Sequence, residues 1–144
     1  MSDADISALP KAEFAFPGPL REKLVASILD GTKTATAGLL REYEHEGEPL
    51  PKIGDRAVVI DSENRPLAVI ETTEVEVIRA DEVELQFALD EGEGFTSVAD
   101  WRAAHERFWQ GAEMRAALDD SSFEVTDETQ IVAERFRLVE RLAP

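Results

Sequence analysis

A helical pattern of apolar residues opens the ordered part of the chain. Between Leu20 and Leu29 the apolar residues recur at helical spacing, which predicts an amphipathic helix. Pro19 suits its first turn and Gly31 suits its C-terminal cap. Residues 1–13 show no sustained periodicity, so we expect a flexible N-terminal tail followed by one domain over residues 14–144.

Alternating apolar and polar positions predict strands further along. Residues 54–60 and 66–78 alternate on either side of a polar turn, which predicts a β-hairpin. Residues 129–139 alternate again and predict a final strand. The segment 31–38 is rich in Thr and small residues and is expected to be a strand or a loop. Residues 42–51 carry one glycine and two prolines among charged residues, which predicts an exposed loop.

Two more helices are predicted between the hairpin and the final strand. The first begins at Asp81 and the second at Ser97, whose side chain suits an N-cap. On the second helix one face carries Trp101, Ala104, His105, Phe108 and Trp109. The spacing of Trp101, Phe108 and Trp109 is more typical of a core than of a base-stacking surface. This order of elements predicts an α+β fold with a small closed or nearly closed sheet, in which the last strand completes a barrel.

Composition narrows the possible functions. Acidic residues number 31 against 15 basic ones, for a formal charge of −16. Few cations are therefore available to hold phosphates, so we expect weak affinity for long nucleic acid. The chain has no cysteine, which excludes disulfides and thiolate metal sites, and its two isolated histidines predict no metal site and no cofactor. No apolar run is long enough to span a membrane, so a cytoplasmic protein is expected.

Lys33 is the first candidate for chemistry, because its neighbours Ala35 and Ala37 are small and leave space around its ammonium group. In a partly desolvated pocket such a lysine acts as a base or as a charged oxyanion donor; an ordinary exposed lysine is the alternative. Thr34 and Thr36 favour a strand. A regular strand places Thr36 on the face opposite Lys33, unless a bulge or turn intervenes.

Other candidates lie further along the chain. Glu91 and Glu93 flank Gly92 in a turn that can direct one carboxylate into a cleft, although both are also typical solvated acids. Tyr43 is a candidate for stacking on a base at the rim of such a cleft. His105 is expected to be a partly buried histidine whose hydrogen bonds are satisfied.

Two motifs follow one another along the chain. The first is Gly31-Thr32-Lys33-Thr34-Ala35-Thr36, between the predicted helix and the strand start at Gly54-Asp55. The other is Ala88-Leu89-Asp90-Glu91-Gly92-Glu93-Gly94, followed by Trp101-Arg102-Ala103-Ala104-His105. The first motif resembles the Gly-x-Lys-Thr-x-Thr signature of the ASCH family, and the other is similar to the bacterial branch of that family. Together they span nearly the whole predicted domain.

This resemblance implies a PUA-like β-barrel, mixed or antiparallel, with flanking helices and a cleft beside the first motif. Members of the family have been linked to RNA binding, ribonuclease activity and hydrolysis of N4-acetylcytidine. By similarity to the small amidohydrolases, the catalytic set falls on Lys33, Thr36 and Glu91. The chain departs from their pattern at Gly38, where many carry an arginine, and Arg41 is the candidate substitute.

The leading hypothesis is therefore hydrolysis of an N4-acylated cytidine or a related nucleoside. Thr36, deprotonated through Lys33, attacks the acyl carbon, Glu91 carries the proton to the departing amine, and backbone N–H groups near Gly38 hold the oxyanion. The predicted substrate-binding residues are Thr34, Gly38, Arg41, Tyr43 and Glu93. The alternatives are a module that binds a modified base or short RNA without turnover, and an ASCH-type ribonuclease.

Overall fold

The computed structural model describes residues 3–142. Residues 1–2 of the predicted tail and 143–144 of the predicted domain lie outside the described residues. One sheet contains five strands, which are β1 (Lys11–Ala12), β2 (Ala35–Leu39), β3 (Arg56–Ile60), β4 (Pro66–Arg79) and β5 (Gln130–Arg141). Their spatial order is β1-β3-β4-β5-β2. The β1–β3 pair is parallel and the other pairs are antiparallel.

This mixed sheet confirms the α+β fold but corrects the expectation that the last strand closes a barrel. In the part of the chain that the structure describes, β1 and β2 form the two edges and do not pair with each other. β5 lies inside the sheet, between β4 and β2. The register of β4 against β5 shifts twice, at Val69/Ile70 and at Thr72/Glu74. Such irregularities bend and twist a strand, so the sheet curls without closing.

Six α-helices and one 3₁₀ turn surround the described sheet. They are α1 (Asp3–Ala8), α2 (Pro19–Asp30), α3 (Leu40–Glu46), the 3₁₀ turn (Ala80–Glu82), α4 (Leu85–Asp90), α5 (Val98–Trp109) and α6 (Ala112–Ala117). The helix signals in the sequence are confirmed at α2 and α5. Gly31 caps α2 with φ 88°, and the Ser97 hydroxyl accepts from the Asp100 N–H at 3.0 Å.

Three segments differ from their sequence predictions. Helix α3 occupies much of the segment 42–51, so the predicted loop is wrong there: the Leu, Arg and Glu residues favour a helix, and Gly47 ends it with φ 65°. The helix predicted from Asp81 is divided into the 3₁₀ turn and α4. The predicted tail contains α1 and β1, which pairs with β3. The domain boundary at residue 14 stays a prediction.

Two apolar clusters lie on opposite sides of the sheet. One side of β2 and β5 packs against α4, α5 and α6, and its strand residues are Ala35, Ala37, Leu39, Ile131 and Ala133. We name this side the aromatic face, because Trp101 and Trp109 cover it. Side chains alternate along a strand and register partners share a side. The opposite side, the threonine face, therefore carries Thr36, Gly38, Val132, Glu134 and Phe136.

Candidate active site

Lys33 lies just before β2, in the connection that follows the cap of α2. Its backbone N–H donates to the Ser27 carbonyl at 3.1 Å, which fixes the chain direction after the helix. Lys33 is therefore outside the regular strand on which the sequence placed it with Ala35. Its side chain is only 1% exposed and folds back, so that Nζ donates to the Ala35 carbonyl oxygen at 2.8 Å.

Acceptors surround the ammonium of Lys33. Besides Ala35, Nζ donates to the Glu91 carbonyl oxygen at 3.2 Å and to Glu93 Oε2 at 3.5 Å, and Glu91 Oε1 lies 3.8 Å away. A lysine ammonium has three N–H donors and no acceptor, so each donor has a partner here. This arrangement suits a charged lysine. The role of Lys33 as a base in the sequence hypothesis stays a prediction.

Gly92 brings the two carboxylates to Lys33 across a long sequence separation. Gly92 has φ +67°, and a Cβ on it would lie 2.5 Å from the Thr32 carbonyl oxygen. Only glycine fits both the conformation and this close approach. Next to it, the Thr34 N–H donates to the Asp90 carbonyl at 2.8 Å. The turn around Gly92 therefore packs directly against Thr32, Lys33 and Thr34, which precede β2.

Two aromatic residues of α5 contact Oε2 of Glu91, the carboxylate oxygen that does not face Lys33. Trp101 Nε1 donates to Glu91 Oε2, and His105 Nε2 lies 3.3 Å from the same oxygen. His105 Nδ1 lies 2.8 Å from the Trp101 carbonyl. Burial lowers the pKa of His105, but the hydrogen bond and the charge of Glu91 outweigh it, so the pKa is raised above 6.5. Both ring nitrogens therefore face acceptors, as in an imidazolium.

The two carboxylates of the turn differ in their access to solvent. The Glu91 side chain is 2% exposed and that of Glu93 is 19% exposed. Glu93 is thus the more accessible of the two carboxylates. Glu91, Glu93 and His105 also place one ligand atom each within 4.8 Å of one another, a spacing that suits a metal ion. The ammonium of Lys33 already pairs with both carboxylates at this point.

Thr36 lies next to the peptide that Lys33 contacts. Phe136 N–H donates to the Thr34 carbonyl at 3.0 Å, so the antiparallel ladder makes Thr36–Glu134 and Gly38–Val132 the hydrogen-bonded pairs. The N–H of Gly38 consequently points into the sheet and cannot hold an oxyanion. The backbone groups of Ala35 and Ala37 point to the open edge instead, where Lys33 binds the first of them.

A second polar group occupies the threonine face. Thr72 Oγ1 donates to Glu134 Oε2 at 2.7 Å, and a Cβ on Gly38 would lie 3.6 Å from Cε2 of Tyr43. Burial, reinforced by the charge of Glu134, raises the pKa of Tyr43 to about 12. Burial also raises the pKa of Glu134, although the Thr72 hydrogen bond opposes the shift.

The structure thus divides the predicted site residues into separate groups. Lys33, Glu91 and Glu93 form one cluster, whereas Thr36, Gly38 and Tyr43 belong to the threonine face. Thr36 adjoins the cluster through its peptide bond to Ala35, whose carbonyl oxygen accepts from Lys33. Arg41 belongs to neither, because it pairs with Asp120 and its guanidinium lies 5.1 Å from the ring centre of Phe123. Its role, like that of Thr34, stays a prediction.

Sequence reasoning missed three residues. Helical spacing predicts a core position for Trp101 and partial burial for His105, but it cannot show that both side chains contact Glu91. Glu134 carries no local signal, because only the register of β2 against β5 places it opposite Thr36.

A family model of the ASCH domain matches residues 13–140. The chain belongs to the ASCH domain family. This confirms the resemblance that the two motifs suggested. ASCH domains have a PUA-like fold, and RNA-binding and hydrolase roles have been proposed for them. A comparison with curated proteins found no significant match. No helix in residues 3–142 is both long and apolar enough to cross a membrane.

Solved structures share this ASCH fold. Protein EF3133 from Enterococcus faecalis V583 is 31% identical, with a TM-score of 0.72 over 83% of this chain and 68% of its own. An ASCH domain from Lactobacillus crispatus JV V101 is 27% identical, with a TM-score of 0.78 over 96% of this chain and 86% of its own. The hypothetical protein PH0355 is 15% identical, with a TM-score of 0.54 over 82% of this chain and 93% of its own. At this identity the similarity shows only a common fold.

Proposed function

We propose that this ASCH domain hydrolyses an acylated nucleoside of the N4-acylcytidine class at the open edge of β2. The observation that carries the proposal is the burial of Lys33 between two carboxylates, directly against the peptide that leads into Thr36. Burying a charged group is costly, and ionisable groups placed in this way are concentrated at functional sites.

Each residue has a distinct role in the proposed reaction. Thr36 Oγ1 attacks the acyl carbon as its proton passes to Glu93, and the ammonium of Lys33 stabilises the negative charge that develops on the carbonyl oxygen. The C–N bond then breaks, and Glu93 returns the proton to the leaving amine. Water finally hydrolyses the acyl ester on Thr36, releasing the carboxylic acid and restoring the hydroxyl.

Two roles differ from those that the sequence suggested. Lys33 acts through its charge, because its three donors already have acceptors. Glu93 replaces Glu91 in proton transfer, because the Glu91 side chain is almost completely buried. Glu91 then acts as a positioning residue, because its carboxylate and its carbonyl oxygen both contact the ammonium of Lys33. The N–H of Ala37, at the open edge, replaces that of Gly38 as the backbone donor to the oxyanion.

A binding module for a modified base is the second candidate. It is favoured by the same observation that argues against a basic lysine, since a fully partnered ammonium can serve recognition without turnover. A ribonuclease is less compatible with a chain of charge −16, because RNA is repelled at long range.

Chromatography of nucleosides and short RNA after incubation with the purified protein distinguishes these functions. N4-acetylcytidine should be converted to cytidine and acetate. Lys33→Ala and Glu93→Gln should each slow this conversion by about 10² to 10⁴-fold, and Lys33→Arg should keep part of it because the charge survives. Lys23→Ala removes an exposed lysine of α2 and serves as the control. Unchanged turnover in Lys33→Ala would remove the proposed site, and cleavage of RNA instead of the nucleoside would establish the ribonuclease.

A further inference from the structure

We propose that Glu134 recognises the amine-bearing edge of a pyrimidine base and that it makes this protein prefer a cytosine-type base over a uracil-type base. The proposal rests on the proposed function only in taking the ligand to be a pyrimidine nucleoside. It assigns a binding role to a residue outside the cluster around Lys33.

Strand register places the half-buried Glu134 on the threonine face, between the buried residues Val132 and Phe136. On β5 it lies opposite Thr36 of β2 and opposite Val75 of β4, and register partners share one side of a sheet. Gly38 follows on the same side of β2 and, because it has no side chain, lets the ring of Tyr43 lie close to the strand. The ring of Tyr43 lies beside Gly38 and supplies aromatic surface, on which bases stack readily. A flat ring bound here would contact the Glu134 carboxylate and lie near the nucleophile Thr36.

The Glu134 carboxylate has unused capacity to accept hydrogen bonds. Among the described residues, Thr72 is its side-chain donor and engages only Oε2. No fully buried side-chain nitrogen or oxygen atom among the described residues lacks a partner, so the other oxygen, Oε1, is not fully buried. A partly desolvated carboxylate with a free oxygen favours a ligand that donates an N–H group.

Charges around Glu134 support the same conclusion. Burial raises its pKa first, and the negative charge of Asp55 adds to that effect. Lys33 forms ion pairs with Glu91 and Glu93. No cation contributes in the same way to the pKa shift of Glu134. An N–H donor from a ligand would therefore supply the favourable electrostatic contact that the protein leaves open.

Pyrimidine chemistry gives this carboxylate a means of discrimination. Cytosine carries an exocyclic amine that donates, where uracil carries a carbonyl oxygen that accepts, and carboxylates are suitable acceptors for the cytosine amine. Oε1 would accept from the amine and repel the uracil carbonyl. An N4-acylated cytosine keeps one N–H on the same nitrogen, so the same contact serves substrate and product.

Calorimetric titration of cytidine and uridine tests this role without requiring turnover. The parent protein should bind cytidine more tightly by about 10-fold or more. Glu134→Gln replaces one oxygen by an NH₂ donor, which opposes the cytosine amine and suits the uracil carbonyl, so the preference should shrink by about 10-fold or more. Glu76→Gln is the matched control, because Glu76 is exposed and pairs in register with Ala133 of the aromatic face. It should leave the preference unchanged.

Thr72→Val provides a second variant that keeps the carboxylate but removes its fixed donor. It should reduce the cytidine preference less than Glu134→Gln does, and thermal unfolding checks that both variants fold. If Glu134 is only structural, both ligands weaken equally and their ratio stays constant, which overturns the inference. An absence of nucleoside binding, or of preference in the parent protein, overturns it as well.

The two proposals can fail separately. If the parent does not hydrolyse N4-acetylcytidine but its cytidine preference depends on Glu134, the hydrolase is wrong and the recognition role stands. If Glu134→Gln hydrolyses N4-acetylcytidine with unchanged KM and keeps the cytidine preference, the recognition role is wrong and the hydrolase stands.

Discussion

Two carboxylates of this ASCH domain lie in contrasting surroundings. Glu91 is sealed beneath the aromatic face, where Lys33, Trp101 and His105 contact its oxygens. Glu134 is half-buried on the threonine face, and Thr72 donates to one of its oxygens. The first carboxylate is enclosed by the protein's own donors, whereas the second has one oxygen, Oε1, that has no protein donor among the described residues and is not fully buried.

This difference separates the structural role of Glu91 from the recognition role that we propose for Glu134. When one member of a buried ion pair is removed, the remaining charge stays buried without a partner, which is strongly destabilising. A carboxylate with one oxygen free can change its partner without disturbing the core. We therefore expect substitutions at Glu91 to affect folding first and substitutions at Glu134 to affect ligand choice first.

The same change at both sites gives the largest expected contrast. Glu91→Gln removes the negative charge between Lys33 and His105 and should lower the free energy of unfolding by about 3 to 5 kcal/mol. Glu134→Gln keeps an oxygen for Thr72 and should change it by no more than about 1 kcal/mol. Urea denaturation followed by circular dichroism measures both. Equal losses in the two variants would abolish the distinction between these carboxylates.

The turn that carries Glu91 should be nearly as sensitive. Gly92→Ala places a Cβ 2.5 Å from the Thr32 carbonyl oxygen at a φ of +67°, so we expect a loss of about 3 kcal/mol from strain and backbone displacement. Gly94→Ala is the matched control, because Gly94 also has a positive φ, +88°, but nothing within 4 Å. It should cost only about 1 to 2 kcal/mol. A Gly92→Ala protein as stable as the control would show that the turn can move away from Lys33.

The contact between His105 and Glu91 should make stability depend on pH. The folded pKa of His105 is raised above 6.5, so its stabilising contribution is fully present below 6.5 and is lost as the pH rises through the folded value. Urea denaturation at a series of pH values should show this decline in the parent protein and a flatter profile in His105→Gln. His45→Gln, on the exposed end of α3, should keep the parent profile.

The smallest effect should appear in the titration of the threonine face. The chain contains one tyrosine, so the ultraviolet absorbance of phenolate reports Tyr43 alone. The midpoint of this titration, the pKa of Tyr43, should lie at about 12. Glu134→Gln should lower the midpoint, because a neighbouring negative charge disappears, while burial keeps it above the ordinary value. A parent midpoint near about 10, with circular dichroism still showing a folded chain, would contradict the burial of this phenol.

Local patterns in the sequence were sufficient for much of the secondary structure. The Pro19 start and Gly31 cap of α2, the Ser97 cap of α5 and the hairpin strands all depend on residues close together in the chain. The loop predicted over residues 42–51 is wrong in its first half, which belongs to a helix that Gly47 ends. The glycine and the two prolines of this segment indicated a loop throughout.

The family assignment also followed from sequence, since it depends on two short motifs. Sequence could not assign Glu91 and Glu93 to their separate roles, because exposure depends on what α5 covers. It also could not find Glu134.

Tertiary structure decided which groups meet. Lys33 and Glu93 are 60 positions apart and Thr72 and Glu134 are 62 apart, and no local pattern encodes such contacts. A shift of one residue in the register of β5 would turn Glu134 to the other face. The sequence by itself thus determined the elements and the family. Only the packing of those elements determined which carboxylate is enclosed and which is open to a ligand, because that depends on register and coverage across the whole sheet.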